Sequence, residues 1–243
     1  MWPFRAPSGA FLVLSLLAGA GYLQAAEGVP VYSNLSTYTE GNWPPDGFQA
    51  FSQFCDPIGD DVTLGGTERD VTQFKIALSS TGPVAIDRLD VWFYKNDGPD
   101  WTGIIRAPGT ELWSASKSQI EVNGRTTVTF DAPNITVPDS FIWIAYARSA
   151  DGTASPAGLA TYDPPTIGGS ADGFWDHNIG SSEDADGKWY WQDFAPDGVV
   201  ANFGAEIIAV PEPASILLLA MGGAAVIRTR RSRLAHKPRT GQL

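Results

Sequence analysis

Helical periodicity is nearly absent from residues 27–209, and this limits what the segment can become more than any motif does. In its place, short stretches rich in β-branched and aromatic residues recur about every 12 to 15 positions, separated by clusters of Gly, Pro, Asn and Asp. Residues 47–54 set Phe48, Ala50, Ser52 and Phe54 on one face and Phe51 on the other. Residues 71–79 alternate imperfectly, with Phe74, Ile76 and Leu78 opposing Val71, Gln73, Lys75 and Ala77. Residues 86–94 place Leu89, Val91 and Phe93 opposite Arg88, Asp90 and Trp92. Thr126, Val128 and Phe130 alternate with Thr127 and Thr129, and Asn123-Gly124 just before them predicts a hairpin with residues 120–122. Residues 141–146 are apolar on both faces, as a central strand requires, and residues 199–208 read as the last strand.

About ten such strands without a detectable repeat predict an all-β fold, a two-sheet β-sandwich of jelly-roll type. A single five-stranded barrel would be too small for them. Cys55 is the only cysteine, so no intramolecular disulfide can form and the fold must rest on its core, with the thiol itself buried and inert.

The ends are of a different kind. Residues 1–26 carry Arg5, an apolar stretch over 10–20 and the small-residue end Gln24-Ala25-Ala26, the three regions of a secretory signal peptide for signal peptidase. Residues 27–209 then form one extracellular domain. Residues 210–233 open with Val210, Pro211, Glu212 and Pro213, continue through the uncharged run 214–227, and close on Arg228, Arg230, Arg231 and Arg233. The two prolines delay a helix until after Pro213, so a C-terminal hydrophobic helix is expected to begin there. The arginines mark the cytoplasmic side, which leaves residues before Val210 outside the inner membrane and 234–243 as a basic cytoplasmic tail. As a helix the 14-residue run spans only about 21 Å, short of the roughly 30 Å of hydrocarbon. Transient membrane insertion is therefore expected instead of a permanent transmembrane anchor.

This order of box, apolar run and arginines resembles the PEP-CTERM sorting signal. The resemblance covers roughly a tenth of the chain and implies exosortase as a partner, in a Gram-negative host that makes exopolysaccharide. It implies an inner-membrane intermediate followed by release to the cell surface or extracellular matrix.

Residues 27–209 hold nine basic and 26 acidic side chains, a balance of −17. A field of that sign repels nucleic acid and anionic membranes, so no nucleic-acid partner is expected, while cation binding or plain solubility fits. Chemistry-bearing patterns are few. His177 is the one histidine of the segment, in Phe174-Trp175-Asp176-His177-Asn178, and no Gly-x-Ser-x-Gly accompanies it, so a structural role is expected and no catalytic residue is assigned. One His and one Cys cannot furnish the usual zinc ligands. Glu183, Asp184 and Asp186 before Gly187 are the calcium candidates, against the plainer reading of a solvated turn; the pairs Asp60, Asp61 and Asp97, Asp100 read as similar loop tips.

Eight of the nine tryptophans lie beyond the signal peptide. Trp189 and Trp191 flank Tyr190, so a strand presents both indoles on one face; with Trp175 they are the glycan-platform candidates, against a role as core filler. The expected function is that of a non-catalytic secreted protein, structural or adhesive, in contact with exopolysaccharide or calcium and needing no other cofactor. The alternative is a glycan-active hydrolase or lyase on a jelly-roll fold, which requires two carboxylates at a defined separation in a cleft.

Overall fold

The computed structural model describes residues 27–37, 48–50, 56–101, 105–153, 155–178, 186–193 and 202–211. The expectations for the signal peptide, for Cys55 and for the C-terminal helix fall on residues outside these. The described chain contains eleven strands and no helix: β1 (Val29–Ser33), β2 (Phe48–Ala50), β3 (Ile58–Thr63), β4 (Asp70–Tyr94), β5 (Glu111–Thr136), β6 (Ser140–Arg148), β7 (Gly158–Ala160), β8 (Gly169–Ser170), β9 (Gly173–His177), β10 (Trp189–Asp193) and β11 (Ala205–Val210). Among the described residues no helix is long and apolar enough to cross a membrane.

All pairings are antiparallel, and instead of two separate sheets one hydrogen-bonded sheet runs β1-β11-β4-β6-β3-β9-β10. β5 follows one edge of β4 along nearly its whole length. The opposite edge of β4 is shared in turn by β11 at residues 70–76, β7 at 78–79 and β6 at 88–94. The sheet is nonetheless doubled over. Phe74 and Phe93 lie nineteen positions apart on β4, which a straight strand would turn into about 60 Å, yet their ring centroids are 4.9 Å apart. Phe74 also meets Trp143 of β6 at 5.4 Å. The inner faces therefore pack on each other, and Phe74, Phe93, Phe130, Phe141, Trp143, Phe174 and Phe203 fill the space between them.

The corner lies where the hairpin was expected. Ser80 pairs with Gly124 and Val84 with Val122, so Thr81, Gly82 and Pro83 face the single residue Asn123. Gly124 takes its positive φ of 64° inside β5, and the chain continues forward instead of reversing. A left-handed glycine serves a bulged corner as well as a two-residue turn, and Pro83 opposite it cannot donate to a regular ladder. The true reversal between β4 and β5 is residues 95–110, where Lys95 N–H donates to Thr110 O and Asp97 accepts from both the N–H and the hydroxyl of Thr110.

A second irregularity explains the imperfect alternation of residues 71–79. Against β11 the register slips between Val71 and Gln73, so Thr72 is bulged out and the inward phase moves from Val71 to Phe74, Ile76 and Leu78, all four fully buried. β6 behaves as expected of a central strand, buried from Phe141 to Ala147 between β4 and β3. The last strand is Ala205–Val210, shifted toward the C-terminus relative to expectation, and it lies between β1 and β4.

Asp60 and Asp61 are not a loop tip: both lie on β3. Asp60 is wholly buried, its Oδ2 accepting from the Ser170 hydroxyl at 2.7 Å and the Phe203 N–H at 3.3 Å, and its burial holds the carboxyl well above the usual range. Asp61 points to the other face, where burial raises it to about 6 against the opposing hydrogen bond from Asn96.

Candidate functional site

The outer face of the β4, β6, β3, β9 and β10 layer carries a second apolar cluster. Strand alternation that sends Phe93 and Trp143 inward must send Trp92, Tyr94, Ile142 and Ile144 outward. Register then sets Trp92, Ile144, Gly59, Trp175 and Trp191 in one row across five strands. Gly59 is the gap in that row: a Cβ there would fall 1.9 Å from the Trp143 carbonyl oxygen, so only glycine permits the close approach of β3 to β6.

In the neighbouring row Trp189 pairs with His177, whose N–H donates to Pro57 O at 3.0 Å. The His177 ring stacks on Trp189 with centroids 4.1 Å apart and planes 16° from parallel, and its Nε2 donates to Gly187 O at 3.2 Å. Tyr94 meets the same indole edge-on at 5.8 Å. Trp92, Tyr94, Ile144, Pro57, His177, Trp189 and Arg148 together line an open groove of about 220 Å³. Closed pockets for drug-sized ligands run to about 300–1,000 Å³, so the shape suits a ring laid on an aromatic surface better than a substrate enclosed from water.

The three tryptophans expected as a platform divide. Trp175 is fully buried, packs edge-on against Trp191 at 5.3 Å and finds no acceptor for its indole N–H, so it is a core residue of the outer cluster and offers no face to a ligand. Burial wins here because Trp175 lies on β9 with strands on both sides. Trp189 and Trp191 share a face as alternation requires and are half-buried against the same cluster, and of the three only Trp189 lines the groove. Tyr190 points the other way, meets Trp101 at 5.3 Å and donates its hydroxyl to Asp186 Oδ2 at 2.7 Å.

Of the calcium candidates, Glu183 and Asp184 lie outside the described residues. Asp186 is engaged by its own loop: Lys188 contributes its ammonium at 2.7 Å and its N–H at 3.1 Å. Those bonds and the Tyr190 hydroxyl pull its carboxyl down to about 2. Among the described residues no group of three His, Cys, Asp or Glu side chains could hold a metal ion.

Sequence reasoning missed Arg148, Tyr94 and Trp92 as groove residues. The signal was present in part, since alternation along residues 142–148 puts Ile142, Ile144, Tyr146 and Arg148 on one face. Which other strands share that face depends on β3 and β9 docking beside β6, about which sequence periodicity is silent. A further buried carboxyl, Asp176, lies on the opposite face of β9 from His177. Burial and then the charge of Asp56 raise it to about 7, with the Gln192 hydrogen bond opposing.

Of the sorting-signal residues, Val210 ends β11, hydrogen-bonded to the β4 strand opposite Asp70, and Pro211 follows it directly. Glu212, Pro213, Arg228, Arg230 and Arg231 lie outside the described residues. The PEP-CTERM protein-sorting motif matches residues 209–232. That motif is recognised by exosortase, so the chain carries a PEP-CTERM sorting signal, which implies export by way of a membrane-anchored intermediate toward the cell surface. No curated protein and no solved structure matches the chain.

Proposed function

We propose that this PEP-CTERM protein is a non-catalytic component of the cell surface or extracellular matrix, and that it adheres to exopolysaccharide through the aromatic groove on a two-layer scaffold of jelly-roll type. The observation that carries the reading is Trp189, a half-buried indole fixed by His177 stacked on one of its faces and by Tyr94 edge-on, beside Trp92. Sugar rings present apolar C–H faces that stack on such surfaces, and an indole already fixed by its neighbours loses little rotamer entropy on binding. Among the described residues lining the groove none is a carboxylate, so a glycoside hydrolase's pair of acids has no counterpart there.

Trp189→Ala and Trp175→Ala separate platform from core. Trp175→Ala is expected to cost about 3 to 5 kcal/mol of stability, as for a fully buried aromatic. Trp189→Ala is expected to cost about 1 to 2 kcal/mol and to lower retention on the producing organism's immobilised exopolysaccharide several-fold. A folded Trp189→Ala protein retained as well as the parent would overturn the reading.

A further inference from the structure

The groove holds one cation whose surroundings set it apart from the others. Arg88 and Arg148 are register partners on β4 and β6. Arg88 is neutralised, its Nε donating to Asp90 Oδ1 at 2.7 Å and an Nη to the Ser116 hydroxyl at 3.2 Å. Arg148 lines the groove and, among the described residues, pairs with no carboxylate. Its Cζ sits 4.8 Å over the Tyr146 ring, and its Nε is cut off from water without an acceptor. Arg148 is half-buried and its Nε lacks an acceptor, so an anion arriving in the groove would supply both an acceptor and a counter-charge.

We infer that the groove selects an acidic saccharide, a sugar ring bearing a carboxylate of the uronate type, with the ring on Trp189 and the carboxylate on Arg148. This rests on the groove being the glycan site. A planar carboxylate matches the fork of a guanidinium and accepts two parallel N–H bonds, which a neutral hydroxyl cannot reproduce. The negative balance of the domain does not forbid this, because at physiological salt the screening length is about 8 Å and distant acids contribute little. Two acids near the groove's strands are already engaged, Asp90 by Arg88 and Asp186 by Lys188, while Asp56 and Asp176, which adjoin Pro57 and His177 in the chain, are buried.

The test uses the full chain and its Arg148→Gln and Trp189→Ala variants, with binding measured to polygalacturonate, to the same polymer after reduction of its carboxyls, and to neutral dextran. The wild type is expected to bind polygalacturonate about 10- to 100-fold more tightly than either neutral polymer. Arg148→Gln should erase that preference while leaving the weak neutral binding in place, and Trp189→Ala should weaken all three. Equal wild-type binding to charged and reduced polymer, or a preference that survives Arg148→Gln, overturns the acidic-ligand inference and leaves the glycan groove standing. Binding to all three polymers that is unaffected by Trp189→Ala overturns the groove itself, and binding to none of them overturns both.

Discussion

A chain ended after residue 204 is expected not to fold, whereas one ended after Pro211 is expected to keep the full domain. β11 sits between β1 and β4 and buries Ala205, Ile207 and Ala209 completely. Its loss strips the partner from β1 and opens the 70–76 edge of β4, where Phe74 and Ile76 anchor the core. Removing an interior strand costs more than the total stability of about 5 to 15 kcal/mol that a domain of this kind holds. Denaturant melts on chains covering 27–204 and 27–211 check this, and a cooperative transition in the shorter one would refute it. The same geometry constrains sorting. Val210 ends a paired strand, lies within the matched sorting motif and directly precedes Pro211-Glu212-Pro213, so cleavage that leaves a folded domain must fall beyond it. Intact mass of surface-released protein is expected to include Val210.

Raising the pH from 5 to 8 is expected to lower stability by about 1 to 3 kcal/mol through Asp176 and its neighbours on β3. Burial and the charge of Asp56 lift Asp176 from its ordinary 3.8 to about 7, burial lifts Asp61 to about 6, and Asp60 is raised as well. Between the unfolded and folded pKa values the native state holds protons that the unfolded chain has released, so stability falls as pH rises through that window. One pKa unit corresponds to about 1.4 kcal/mol, and local relaxation around the buried carboxylate recovers part of it, which sets the modest range. Repulsion among the excess acids acts in the same direction, so the discriminating comparison is Asp176→Asn. Its melting temperature should exceed the wild type's at pH 8 and converge with it toward pH 5. Parallel profiles for the two proteins would show that Asp176 is not the cause.

The residues themselves determined the all-β character, because alternation and turn chemistry are local properties. Leu89, Val91 and Phe93 lie inward as their spacing requires, and residues 141–146 form the central strand that two apolar faces demand. The sorting signal was equally legible, since exosortase reads a contiguous motif whose order alone carries the message. What the sequence could not convey is how far a strand continues. Asn123-Gly124 permits a positive φ but does not say whether the chain reverses or turns a bulged corner. That choice was made by Thr81, Gly82 and Pro83 some forty residues away on the paired strand. The same holds for the site. Trp175 and Trp189 look alike in sequence, and Asp60 and Asp61 look like one acidic pair, yet strands from distant parts of the chain bury one of each pair more deeply than the other. Arg148 became a candidate ligand-binding residue only once β9 and β10 were laid beside β3 and β6, because a groove is a relation between strands and no single strand contains it.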